Sequence, residues 1–233
     1  AAARAEARAA AKLNHDNIIR VFDAGEAQGV IYFAMEFVDG PSLQKVIDVQ
    51  KRIPEIIALN LIIQVLRGLD HAREHKIIHR DIKPENIMLT SGGVAKVCDL
   101  GLARPTDKTG ASEKEGVVMG TPLFMSPEQA RGELNLDFRT DLYSLGATFY
   151  YMLVGQPPFA GRDTKALIDQ HLNSKPTPPH RRYPRISSHT SRIVMKMMEK
   201  EKEDRYRSPK ATIADLQAVL DVHEGKAEKS SLS

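Results

Sequence analysis

The segment IIHRDIKPENIML, residues 77–89, concentrates the side chains with the most chemical potential in this sequence. Asp81 is a carboxylate that can accept a proton from a hydroxyl. Lys83, two residues on, can neutralise a phosphate, and Asn86 offers an amide oxygen to a hard cation. Thirteen residues after Asn86 stands Asp99, a second carboxylate on the turn Asp99-Leu100-Gly101, two residues past the end of the strand-like run 94–97. A base at an acceptor hydroxyl, a cation for phosphate charge and oxygen ligands for a divalent metal are the parts a phosphoryl transfer needs. Residue types at this spacing are far more specific than a chance cluster of polar loop residues.

Such side chains need a scaffold, and its outline is legible. The run VFDAGEAQGVIYFAMEFVDG alternates β-rich stretches about a polar turn containing Gly29 and predicts a hairpin that exits at Asp39-Gly40-Pro41. Short strands are expected at 86–89 and 94–97. From Ser42 onward helical patterning dominates. The stretch around 56–69 is apolar but interrupted by Asn60, Gln64 and Arg67, which predicts a helix buried on most sides and too short to span a bilayer. Residues 140–153 read as a central helix stopped by Pro157-Pro158. Further helices are expected at 191–199 and at 209–222, the latter capped by Ser208 with Pro209 in its first turn. Ala1–Leu13 reads as a packed alanine-rich helix, Thr106–Gly116 as a surface loop, and the tail EGKAEKSSLS as disordered. No internal repeat is evident.

The chain has 233 residues, 42% hydrophobic and 27% charged, enough for a sizeable core. Its net charge is +3, a balance too weak to point to a nucleic acid or a membrane surface as partner. The one cysteine, Cys98, excludes an internal disulfide and any cysteine-based zinc site, and fits a reducing compartment. The opening AAARAEARAAAKL lacks the pattern of a signal peptide, and the expectation is that it marks the boundary of a fragment rather than a natural start.

Residues 77–89 with Asp99 resemble the catalytic loop and metal-binding loop of the protein kinases. The resemblance extends over nearly the whole chain. It implies an α+β fold of two lobes, a mostly helical large lobe and a truncated small lobe. Residues 1–39 would hold the αC helix, two strands and the hinge; residues 40–223 would form the large lobe; residues 224–233 would be the tail. It implies Asp81 as catalytic base, Asn86 and Asp99 on Mg²⁺ or Mn²⁺, and Lys83 with Thr121 of Gly120-Thr121-Pro122 as the pair marking serine/threonine specificity. Met35 falls at the gatekeeper, Glu36, Phe37 and Val38 at the hinge, and Met88 and Cys98 around the adenine of ATP; Glu6 falls where the αC glutamate belongs. Val21, Ala10, Leu100 and His79 would stack between the lobes. Asp141 would anchor the catalytic-loop backbone, and Glu128 of Ser126-Pro127-Glu128 would pair with Arg205. The wording MSPEQARGE and GQPPF is most similar to the eukaryotic-like kinases of bacteria.

Other features depart from the family pattern. No G-x-G-x-x-G loop and no V-A-I-K strand occur in the sequence, and Leu100 stands where phenylalanine is usual. The expectation is a longer natural kinase cut inside αC, because every downstream catalytic position is intact. The implied partners are proteins with Ser/Thr acceptors, the chain itself included, and the implied place is the cytoplasm, with no membrane segment in this chain. A catalytically impaired scaffold and a small-molecule phosphotransferase of similar fold remain alternatives. Arg80 would take an activating anion. That anion is supplied either by Glu113 and Glu115, in a stretch 113–120 without Ser or Thr, or by phosphorylation at Ser112 or Thr109.

Overall fold

The computed structural model describes residues 13–27, 30–100 and 122–231. A hairpin of β1 (Val21–Ala27) and β2 (Val30–Met35) pairs antiparallel, Val21 opposite Met35 and Ala27 opposite Val30, with a bulge between Val21 and Asp23. Helices α1 (Leu43–Gln50) and α2 (Glu55–Glu74) follow. A 3₁₀ turn, Pro84–Asn86, leads into a second small hairpin, β3 (Ile87–Leu89) and β4 (Ala95–Val97), registered Ile87 opposite Val97. The remainder is helical: α3 (Pro127–Ala130), α4 (Phe138–Val154), α5 (Thr164–Asn173), α6 (Pro179–Arg182), α7 (Ser188–Met197) and α8 (Pro209–Ser231). The described fold is α+β with a mostly helical large part.

Helix α4 is the hub. Asp137 caps it by accepting from the Arg139 amide, and its apolar residues cover all sides, so it is buried along nearly its whole length. Tyr143, Phe149 and Tyr150 are fully buried, and the two phenols reach His171 Nδ1 (3.0 Å) and the Thr177 carbonyl (2.9 Å). Helix α7 comes so close that a side chain at Gly146 would meet the Met197 Cβ at 2.8 Å. The helix ends at Gly155, whose φ of 77° supplies a left-handed C-cap, two residues before the prolines expected to stop it.

Helix α2 lies against α4, α8 and β4. Leu59, Ile62, Ile63 and Leu66 are buried, whereas Ile56 and Ile57 are exposed. Its first turn therefore departs from the all-round burial that its composition implies. Helix α8, capped by Ser208 accepting from the Ala211 amide at 3.1 Å, continues to Ser231. That corrects the disordered tail expected from 224 onward. Elongating a helix that is already nucleated adds one hydrogen bond per residue, and the Ala, Glu and Lys of this stretch are good helix formers. The expected helix at 1–13 and the loop at 106–116 lie outside the described residues, apart from Leu13, which is buried.

Candidate active site

The 77–89 loop is held by its backbone. Asp141, buried on α4, accepts the amide of His79 at 2.8 Å with one carboxylate oxygen and that of Arg80 at 2.7 Å with the other. Burial pushes its carboxyl above the ordinary range, against the opposing pull of His79 and Arg80. The two bonds fix Arg80 in a left-handed backbone conformation, φ 68°, which a non-glycine residue adopts only when its surroundings enforce it. His79 is buried, and its Nδ1 accepts the Asp81 amide at 3.2 Å. That leaves Nε2 to donate to the Cys98 carbonyl at 2.8 Å. One ring thus ties the loop to the strand end that carries Asp99.

These anchors present Asp81 at the surface with its carboxylate half exposed. Lys83 Nζ lies 2.9 Å from Asp81 Oδ2. Asn86 Nδ2 donates to the Asp81 carbonyl at 2.8 Å and to Oδ2 at 3.2 Å. The β3–β4 register, extended by the Cys98 amide donating to the Asn86 carbonyl at 3.0 Å, brings Asn86 alongside Cys98-Asp99. Asp99 is exposed and left-handed, φ 60°. Asn86 Oδ1 and the Asp99 carboxylate have no hydrogen-bond partner among the described residues. One amide oxygen and one carboxylate suit a hard cation that completes its shell with phosphate and water oxygens. Among the described residues no group of three or more His, Cys, Asp or Glu could hold a metal unaided.

Behind the loop lies a buried ion pair. Arg205 donates through Nη1 to Glu128 Oε1 at 2.7 Å and through Nη2 to Oε2 at 2.8 Å. Its remaining donors go to the carbonyls of Arg139, Glu199 and Lys200, and Thr140 adds a bond to Glu128 at 2.8 Å. Burial alone would raise the Glu128 carboxyl, but the hydrogen bonds and charge of Arg205 outweigh it and hold the group below the usual carboxylate range. Next to it, burial and then the charge of Arg205 pull Lys200 down to about 8.

A family model described as the protein kinase domain matches residues 1–215. The chain belongs to that family. It is 40% identical over 229 residues to the serine/threonine-protein kinase PknB of Mycolicibacterium smegmatis, covering 96% of this chain and 36% of that protein. It is 37% identical over 227 residues to PknB of Mycobacterium leprae, with the same coverage of both chains. A probable serine/threonine-protein kinase PknB of Bifidobacterium longum is 40% identical over 214 residues, 87% of this chain and 31% of that protein. The kinase chain thus spans about a third of the length of these curated relatives. No helix among its described residues is long and apolar enough to cross a membrane.

Glu36, Phe37 and Val38, expected at the hinge, have unlike surroundings. Glu36 turns its carboxylate to Lys96 Nζ at 2.9 Å and to the Arg20 amide at 3.2 Å, while its own amide donates to the Arg20 carbonyl at 2.8 Å. Met35 is exposed and Phe37 is 89% exposed. Val38, Ile19 and Cys98 form a buried apolar group with Met88 at its edge. Cys98, expected to line a nucleotide pocket, is only 8% exposed, because β4 carries it inward beneath Ile19 and Val38. Burial, followed by the charge of Asp99, pushes its thiol up to about 12.

Leu100 packs with Leu13, Ile18, Ala72 and Ile77. Val21 and His79, expected in the same stack, are buried as well, and Ala10 lies outside the described residues. Glu6, Glu113, Glu115 and Thr121 also lie outside them.

Two residues escaped sequence reasoning. Gln129 closes a capping box with Ser126, their reciprocal bonds 3.3 and 3.2 Å long, and donates to the Arg80 carbonyl at 2.7 Å. The S-x-x-Q spacing could have revealed the cap, but not the reach to Arg80. Gln64 accepts from the Ala95 amide at 2.9 Å and from Asn17 Nδ2 at 3.3 Å, and Asn17 also bonds the Ala95 carbonyl at 2.9 Å. No local signal marks that pair.

Proposed function

We propose that this chain is the core of a serine/threonine protein kinase that transfers the γ-phosphoryl group of ATP to hydroxyls of protein substrates, its own chain among them. The reading is carried by the geometry of Asp81. Its carboxylate is exposed to an incoming hydroxyl, while Lys83 at 2.9 Å and Asn86 at 3.2 Å hold the same oxygen. In this reading Asp81 orients the acceptor hydroxyl and takes its proton. Lys83 steadies Asp81 and offsets negative charge on the acceptor side. Asn86 Oδ1 and Asp99 hold Mg²⁺ or Mn²⁺, which when bound neutralises charge on the phosphates. Val38 and Met88 offer apolar surface to the adenine, with Cys98 behind them and Met35 at the inner edge. Thr121 joins Lys83 at the acceptor, Glu6 belongs to nucleotide binding, and Arg80 receives the activating anion from Glu113 and Glu115 or from a phosphate.

The test uses the full-length protein. Asp81→Asn is expected to remove phosphotransfer while nucleotide affinity stays within about twofold, because a base acts on the acceptor and not on the nucleotide. Asp99→Asn is expected to weaken Mg-ATP binding as well, since it removes a charged ligand. Equal loss of nucleotide affinity in both variants would overturn these roles.

A further inference from the structure

Helices α7 and α8 flank a half-open cavity of ≈ 580 Å³, and none of its lining residues belongs to the catalytic loop. That volume is of the size that takes a small organic ligand. Ile193 and Val219, both buried, and the Tyr206 ring line it together with Ala218 and Val222. Arg192 and Lys196, four residues apart on α7 and therefore on one face, also line it and are exposed. Lys196 Nζ stands 4.1 Å from the centroid of Tyr206, and neither cation has an ion pair among the described residues.

The acids nearby are already engaged. Asp215 accepts the Tyr206 hydroxyl at 2.7 Å. Glu55 accepts from the Ser187 hydroxyl at 2.7 Å and lies 3.7 Å from His223 Nε2. The surrounding sequence deepens the imbalance. Between Asp169 and Glu199 there are six Lys and Arg residues and no Asp or Glu. Asp215 also lines the cavity and keeps its charge, turned to the Tyr206 hydroxyl, so two cations without an ion pair among the described residues stand against one carboxylate. Such a lining is complementary to a molecule with a hydrocarbon body and one anionic end.

We propose that this cavity binds a single-chain amphiphilic anion, its carboxylate or phosphate on Arg192 and Lys196 and its hydrocarbon chain against Ile193, Ala218, Val219 and Val222. The site is independent of the phosphotransfer reading, and its test does not use kinase activity. Titration calorimetry of the full chain with dodecanoate and dodecyl phosphate, both kept monomeric, is expected to give saturable binding at one site. Dodecanol should bind at least about tenfold more weakly, and R192Q with K196Q should cost about the same factor. Ala218 is exposed, so Ala218→Trp fills the cavity without entering the core, and it should abolish binding. Thermal melts of both variants verify that they fold. Absence of saturable binding, equal binding of dodecanol, full affinity in Ala218→Trp, or binding to phosphatidylglycerol vesicles but not to monomeric dodecanoate would each overturn the proposal.

Discussion

Two pairs of carboxylates in this chain have opposite surroundings. Glu128 and Asp141 are buried, and each of their carboxylates accepts from named donors: the Arg205 fork and Thr140 for one, the amides of His79 and Arg80 for the other. Asp81 and Asp99 stand at the surface, with Asp81 only partly engaged and Asp99 without a hydrogen-bond partner among the described residues. The buried pair hold shape because a charge removed from water is tolerable only when fully paired. The exposed pair keep lone pairs available, which a reacting group needs. The Lys83–Asp81 contact is partly exposed and contributes little to stability. In the proposed function its value lies in orientation.

That contrast can be broken most severely at Asp81. Asp81→Asn should cut phosphotransfer by about 10²–10⁴-fold in the full-length protein and leave its thermal midpoint nearly unchanged. A large fall in melting temperature would show that Asp81 is an anchor after all.

Glu128→Ala should do the reverse. It strands the Arg205 guanidinium in the core and should cost about 3–5 kcal/mol in denaturant unfolding. Joint replacement of Glu128 and Arg205 by apolar residues should recover part of that loss, as the penalty comes from the unpaired charge.

Acid should reach the same pair. The Glu128 carboxyl is held below its unfolded value, so its contribution is complete above the ordinary glutamate pKa of about 4.3 and disappears as pH falls through the lower folded value. Asp141, raised by burial, works in the opposite sense on acidification. The difference in unfolding free energy between the wild type and Glu128→Gln isolates the first effect and should narrow below about pH 4. A constant difference down to pH 2 would contradict it.

Gln129→Ala should be milder, costing about 1–2 kcal/mol through the lost cap and the freed Arg80 carbonyl. It should also lower activity, because Gln129 joins the anchor region to the loop. Unchanged activity with reduced stability would confine Gln129 to the cap.

The smallest effect concerns Cys98. With its thiol pushed up to about 12 and buried, it should remain inert to a disulfide reagent at pH 8 in the folded protein and react promptly in guanidinium. Fast native labelling would place the thiol at the surface.

Much of the candidate site was legible because it is local. Asp81, Lys83 and Asn86 lie within six residues, and a short hairpin register carries Asn86 to Asp99. The positions of α2, α4, α7 and α8 followed from periodicity and caps, with errors at the ends. Helices α1, α3, α5 and α6 had no predicted positions of their own. Helix α4 stopped at a left-handed glycine rather than at the prolines, and α8 ran past the point where composition turned polar.

By itself, the sequence determined which side chains could perform phosphoryl transfer and that the surrounding scaffold would be mostly helical. Both are encoded in short-range spacing. Only the tertiary structure decided which carboxylates are spent on anchoring, which oxygens remain free, that Cys98 faces inward, and that Gln129 reaches Arg80 from 49 residues away. It also gathered into one place a cationic face and an apolar chamber that a whole-chain charge of +3 concealed. Desolvation depends on what packs around a group, and that is settled by contacts between segments distant in the chain.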